Sequence, residues 1–186
     1  WTEMRADRVY ANNILNIYLG DADLYIDHSK ANGNGTQSSP FNNFNAIKTL
    51  LEATPIINKD ITINVVSTGN VNDSLDLRGL QGRGTIRINL DKDLILNDNG
   101  ENSAFYFYKV DNPITIYGNR TGYNATDGAL INGFNYGVYF NQCKYGSVEY
   151  ISIDTSTAGS EQWGVIFRNT SGRTSRIDFC DSWNGV

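Results

Sequence analysis

Residues 23–53 read DLYIDHSKANGNGTQSSPFNNFNAIKTLLEA, and this stretch decides the fold. Leu24, Tyr25 and Ile26 make a short β-prone run. Ser29–Ser39 is dense in Gly, Asn and Ser, residues that accommodate turns, and is expected to be a surface loop. Phe44, Ile47, Leu50 and Leu51 then recur at helical spacing and define one apolar face. Asn42 or Asn43 can cap the start of that helix. Thr54-Pro55 stops it, because the residue before a proline avoids the α region. The spacing predicts one helix over 43–53, and strand pattern alone follows it. That layout is a lid on the end of a stack of strands.

The strand pattern has period two. Ile61, Ile63 and Val65 alternate with Thr62 and Asn64, and Ile86, Ile88 and Leu90 alternate with Arg87 and Asn89. Ile114 and Ile116 flank Thr115, Ile151 and Ile153 flank Ser152, and Ile177 and Phe179 flank Asp178. Each is an inward–outward strand. The strands also recur. Ile61 to Ile86 is 25 residues, Ile86 to Ile114 is 28 and Ile151 to Ile177 is 26. Ile114 to Ile151 is 37, lengthened by the polar insertion Gly118–Gly128. A second strand type, GVYFNQ at 137–142, returns 27 residues later as GVIFRN. Self-similarity at such a period marks stacked repeats. A single coil cannot bury its inner face, so coils stack and like residues meet at about 4.8 Å. Leu94, Leu96, Phe105, Phe107, Val138, Phe140, Val165 and Phe167 are expected to complete the core.

Composition narrows the function. The 186 residues carry a net charge of −5 and contain no Lys/Arg-rich run, which argues against nucleic acid as a partner and slightly favours neutral or cationic sugars over polyanions. No segment approaches the roughly 20 apolar residues of a membrane span. Cys143 and Cys180 are too few for a disulfide scaffold and are expected to be free buried thiols. The chain has neither Cys-x-x-Cys nor a His pair, so no metal or other cofactor is expected. Asp98-Asn99-Gly100-Glu101 is read as a solvated turn.

Candidate chemistry is sparse. The single histidine, His28, lacks a recognisable nucleophile motif and is read as a surface turn residue. Glycoside hydrolysis needs two carboxylates about 5–10 Å apart. Asp154 and Asp181, one coil apart, are the candidate catalytic pair, with Glu149 and Asp178 on the same stretch. Asp is also common at turns for conformational reasons. Trp163, Trp183 and Tyr145, with Tyr123 and Tyr136, fall in or beside loops. Such rings can stack on sugar faces as glycan contacts, or pack at a subunit interface.

The stretch LYIDHSKANGNGTQSSPFNNFNAIKTLLEA resembles the opening of pectin-lyase-like right-handed parallel β-helices. These occur in bacteriophage tail spikes, fibres and appendages and in polysaccharide-degrading enzymes. The shared pattern is a strand ending in Asp, an Asn/Gly loop, Ser-Pro-Phe and a plugging helix. Upstream, ADRVYANNI resembles linkers that precede β-helical parts of phage tail proteins. The resemblance implies an all-β, right-handed single-stranded parallel β-helix over 21–186, preceded by an arm over 1–20. The arm is read as a docking or oligomerisation segment, or as a strand or short helix along the first coil. A strand and a few residues end the chain, so further C-terminal coils are expected.

The implied role is structural and recognition-related: a homotrimer in the virion tail, assembled with other tail proteins and contacting a bacterial cell-surface glycan. A polysaccharide lyase or glycoside hydrolase of the same fold is the alternative. The cluster of aspartates with a basic residue expected of pectate lyases is not evident, which argues against this enzyme. A bacterial surface adhesin is a third reading.

Overall fold

A computed structural model describes residues 22–120, 128–155, 162–170, 176–178 and 181–182, the last two segments as strand backbone. The arm over 1–20, Tyr123, Cys180 and Trp183 lie outside the described residues.

The chain runs in circuits. The first holds β1 (Ala22–Ile26) and α1 (Phe44–Glu52). The second holds β2 (Ile61–Val65), β3 (Gly69–Asn72) and β4 (Leu75–Arg78). The third holds β5 (Ile86–Leu90), β6 (Leu94–Asn97) and β7 (Ser103–Tyr108). The fourth holds β8 (Ile114–Tyr117), β9 (Leu130–Asn132) and β10 (Tyr136–Asn141). The fifth holds β11 (Gly146–Glu149), β12 (Ser152–Asp154) and β13 (Trp163–Arg168). Last come β14 (Arg176–Asp178) and β15 (Asp181–Ser182). The second to fifth circuits each add a strand to each of three sheets. The first sheet is ordered β1-β2-β5-β8-β11-β14, the second β3-β6-β9-β12-β15 and the third β4-β7-β10-β13. Every strand pair is parallel. Three parallel sheets with one short helix among the described residues are compatible with the expected β-helix.

The core consists of columns of like residues. Leu24, Ile63, Ile88, Ile116 and Val148 stand in register on successive strands of the first sheet, all buried. The third sheet stacks Leu77, Phe107, Phe140 and Phe167. Ring centroids lie 5.2 Å apart for Phe107–Phe140 and 5.0 Å for Phe140–Phe167, with nearly parallel planes. The eight positions expected to complete the core are buried, Phe167 partly, while the side chains of Ile177 and Phe179 lie outside the described residues.

One expected register is corrected. Ile151 does not continue the Ile61–Ile86–Ile114 series. Gly146 stands opposite Ile114 and Val148 opposite Ile116, so β11 is the next strand of the first sheet. Ile151 is buried one step later, just before the second-sheet strand β12. The reason is steric. A Cβ at Gly146 would sit 2.7 Å from the Phe140 ring, so the column accepts only glycine where isoleucine stands below.

The corner after the third sheet repeats its backbone. Gly79, Lys109, Gln142 and Asn169 each adopt a left-handed conformation, with φ of 68°, 54°, 57° and 49°. The amides of Gly79, Lys109 and Gln142 donate to the carbonyls of Tyr108, Asn141 and Arg168 one circuit on. Non-glycine residues accept this strain because the ladder demands the bend on every circuit.

At the N-terminal end the sheet edges need cover, because a free edge presents unpaired backbone groups. The loop covers β1: Tyr25 N–H donates to the Gly35 carbonyl, and Phe41 N–H donates to the Tyr25 carbonyl. Gly35 (φ 84°) also makes room for the Phe41 ring. Helix α1 covers β4. Asn43 caps it by accepting from Ala46 N–H, and Phe44, Ile47 and Leu51 are buried. Lys48 Nζ donates to the Asp76 carbonyl (2.8 Å), and Arg78 N–H donates to Glu52 Oε1 (3.2 Å). Two helix side chains thus bond to the edge of β4 where a strand would.

Phe140 sits in the middle of the stack, so Phe140→Ala is expected to cost about 3–5 kcal/mol of stability, measured by urea unfolding. A cost under about 1 kcal/mol would contradict the packing described.

Candidate functional site

In SAFYFY (103–108) and YGVYFN (136–141), period two turns Phe105, Phe107, Val138 and Phe140 inward and Tyr106, Tyr108 and Tyr139 outward. Tyrosine suits the outer face because its ring is apolar and its hydroxyl can be hydrated. Asp76, Tyr106 and Tyr139 are in register across β4, β7 and β10. They line a cleft of about 580 Å³ with Asn45 and Lys48 of α1, Glu101 and Tyr136.

The rings brace one another. Tyr139 makes edge-on contacts with Tyr106 (5.2 Å between centroids) and Tyr136 (5.5 Å). Asn141 Nδ2 donates to the Tyr106 hydroxyl at 3.1 Å, and Arg168 Nη1 donates to the Tyr139 hydroxyl at 3.3 Å. The Arg78 guanidinium lies 5.4 Å from the Tyr106 centroid. Asp76 takes hydrogen bonds from Arg78 Nε and Nη2, and this bonding raises the arginine pKa above its ordinary value.

One wall is the turn between β6 and β7. Asp98 Oδ1 accepts from Gly100 N–H and Asn99 Oδ1 from Glu101 N–H, two successive side-chain-to-backbone turns. Asn99 Nδ2 also donates to Ser74 Oγ, fastening the turn to the previous circuit. Glu101 is exposed at its end.

The expected site residues fall in different places. Trp163, 46% exposed, opens β13 in register with Tyr136, so it extends the aromatic row of the cleft. Tyr145 sits at the corner before β11 with Lys144 over its ring, away from the cleft. Asp154 closes β12 on the second sheet, opposite Asn132. There it continues a ladder in which Asn132 donates to Asn97 and Asn97 to Asn70. Asp181 opens β15 in register with Ser152 rather than with Asp154. Asp178 stands opposite Glu149 on the first sheet. Trp183 lies outside the described residues. Sequence reading missed Tyr106, Tyr139, Asp76 and Glu101; the alternation FYFY signals the first two.

His28 is not a simple surface turn residue. Its Nδ1 is 2.7 Å from Ser67 Oγ and its Nε2 is 2.9 Å from Asp73 Oδ2. Ser67, 2% exposed, also accepts from His28 N–H, and Asp73 Oδ2 also accepts from Phe44 N–H. The serine is sealed off and the carboxylate is shared with the helix start. The set therefore ties the first loop, the β3–β4 corner and α1 together. Cys143 is free and buried, and burial raises its thiol pKa.

Comparison with protein-family models, with curated proteins and with solved structures finds no match to this chain.

Asp73 also accepts from Ser74 N–H through Oδ1, so Asp73→Ala strands several donors. It is expected to destabilise by about 1–3 kcal/mol in urea unfolding, with Asp73→Asn losing less because one acceptor oxygen remains. Equal stability of the wild type and Asp73→Ala would contradict the tie.

Proposed function

We propose that this chain is part of a right-handed parallel β-helix of the pectin-lyase-like kind, and that it recognises a bacterial cell-surface glycan within a homotrimeric bacteriophage tail spike, fibre or appendage. The observation that carries the reading is the cleft on the outer face of the third sheet. Tyr106, Tyr136 and Tyr139 supply flat apolar faces, and Asn45, Asn99 and Asn102 beside them supply amides that can bond to hydroxyls. Pyranose rings match this chemistry, with apolar faces and hydroxyl rims. The phage assignment rests on the resemblance of residues 24–53 to β-helix openings, and the trimer rests on the same resemblance. Fold alone does not fix function.

Binding fits the cleft better than cleavage. Hydrolysis needs one carboxyl group kept as an acid and another as base or nucleophile. Asp76 is engaged by Arg78, and Asp73 by His28 and Phe44 N–H. Asp154 and Asp181 stand on a different sheet from the tyrosines.

The test is a bacterial glycan array probed with the purified protein, with reducing ends and unsaturated sugars assayed in parallel. Binding without turnover is expected, weakened about tenfold or more by Tyr139→Ala and less by Trp163→Ala, with stacking contributing roughly 0.5–1.5 kcal/mol per ring plus lost burial. Turnover abolished by Asp154→Asn and by Asp181→Asn would establish the enzyme instead. Competition with phage adsorption separates the tail protein from an adhesin.

A further inference from the structure

The charges around the cleft are unevenly satisfied. Both cations that line it are engaged: Lys48 Nζ is bonded to Glu52 Oε1 and to the Asp76 carbonyl, and Arg78 faces the Asp76 carboxylate through Nε and Nη2. Among the acids, Asp76 is matched by Arg78, and Asp73 is held by His28, Phe44 N–H and Ser74 N–H. Glu101 differs. Among the described residues no cation pairs with its carboxylate, while its backbone N–H donates to Asn99 Oδ1. The two side-chain-bonded turns at Asp98 and Asn99 set its backbone at the rim of the tyrosine-lined cleft.

We infer, building on the glycan-binding reading above, that this cleft selects sugars bearing a free, positively charged amine and rejects uronic or other anionic sugars. A sugar stacked on Tyr106 or Tyr139 would bring an ammonium group within reach of Glu101. Glu101 is exposed, so the pair would have the modest strength of a surface ion pair. An anionic sugar would find both lining cations, Lys48 and Arg78, already held by carboxylates, while Arg168 beside the cleft donates to the Tyr139 hydroxyl. To pair with either lining cation it would have to displace Asp76 from Arg78 or Glu52 from Lys48, leaving a carboxylate unmatched in either case.

The experiment is calorimetric titration of the purified protein with three sets of oligosaccharides. These are oligomers of glucosamine, their N-acetylated counterparts and oligogalacturonates, below pH 6.5 so that the amines are charged. The first two sets share a backbone and differ in charge at one group. The amine form is expected to bind about fivefold more tightly than the N-acetyl form, the scale of one exposed ion pair, and raised salt should narrow the gap. Glu101→Gln should erase the preference, bringing the amine and N-acetyl forms to the same affinity. Glu101 is exposed on a turn held by other residues, so this variant should fold. Equal binding of the two forms, a preference unchanged in Glu101→Gln, or tighter binding of oligogalacturonate would overturn the inference. If Tyr139→Ala still weakens the remaining binding about tenfold or more in those cases, the glycan-binding reading stands without it. If no oligosaccharide binds, or Tyr139→Ala leaves binding unchanged, both fall together.

Discussion

The structure depends on parallel stacking of like side chains. One circuit has an interior only a few side chains wide, and its backbone groups point along the stack toward the next circuit. Neither the apolar columns nor the hydrogen bonds exist until a second circuit arrives. This is why isoleucine stands on isoleucine in the first sheet and phenylalanine on phenylalanine in the third. It is also why one-residue slips are forbidden: period two would turn every buried residue outward. The same rule places asparagine over asparagine on the outer face, where each amide bonds the next.

A stack has ends, and the N-terminal end shows how a free edge is closed. The first circuit lays a strand only in the first sheet; over β4 it lays a helix. Helices satisfy their own backbone, so α1 can bury Phe44, Ile47 and Leu51 without presenting a new edge. What it cannot supply is a ladder partner, and Lys48 and Glu52, one turn apart, stand in by bonding the Asp76 carbonyl and the Arg78 amide. The Ser67–His28–Asp73 string then fixes where the helix begins.

Some of this was legible in the sequence and some was not. The helix was legible because its apolar spacing, cap and proline stop agree. The strands rich in alternating isoleucine were legible for the same reason. The strands GNVN at 69–72 and GSVE at 146–149 were not, since each offers a single inward side chain larger than glycine. That gap shifted the reading of Ile151. The cleft was half legible. Alternation in FYFY marks Tyr106 as outward, but the convergence of Asp76, Tyr106, Tyr139 and Glu101 follows from register across circuits. His28 and Asp73 are 45 residues apart, and no local pattern joins them.

The cleft is a by-product of the stacking rule. Outward positions align as strictly as inward ones, so a row of tyrosines can run along the stack with no effect on the core. Its floor is therefore as rigid as the sheet, and its character is set by side chains that the fold leaves unconstrained. The central claim is that the register of β7 on β10 sets the core and the cleft at once. Solution NMR of the labelled protein tests it most directly through cross-strand contacts between backbone protons. Parallel contacts pairing Phe105 with Val138 and Phe107 with Phe140 are expected, together with ring contacts between Tyr106 and Tyr139. Antiparallel contacts, or a register shifted by one residue that buries Tyr106 and Tyr139, would contradict it.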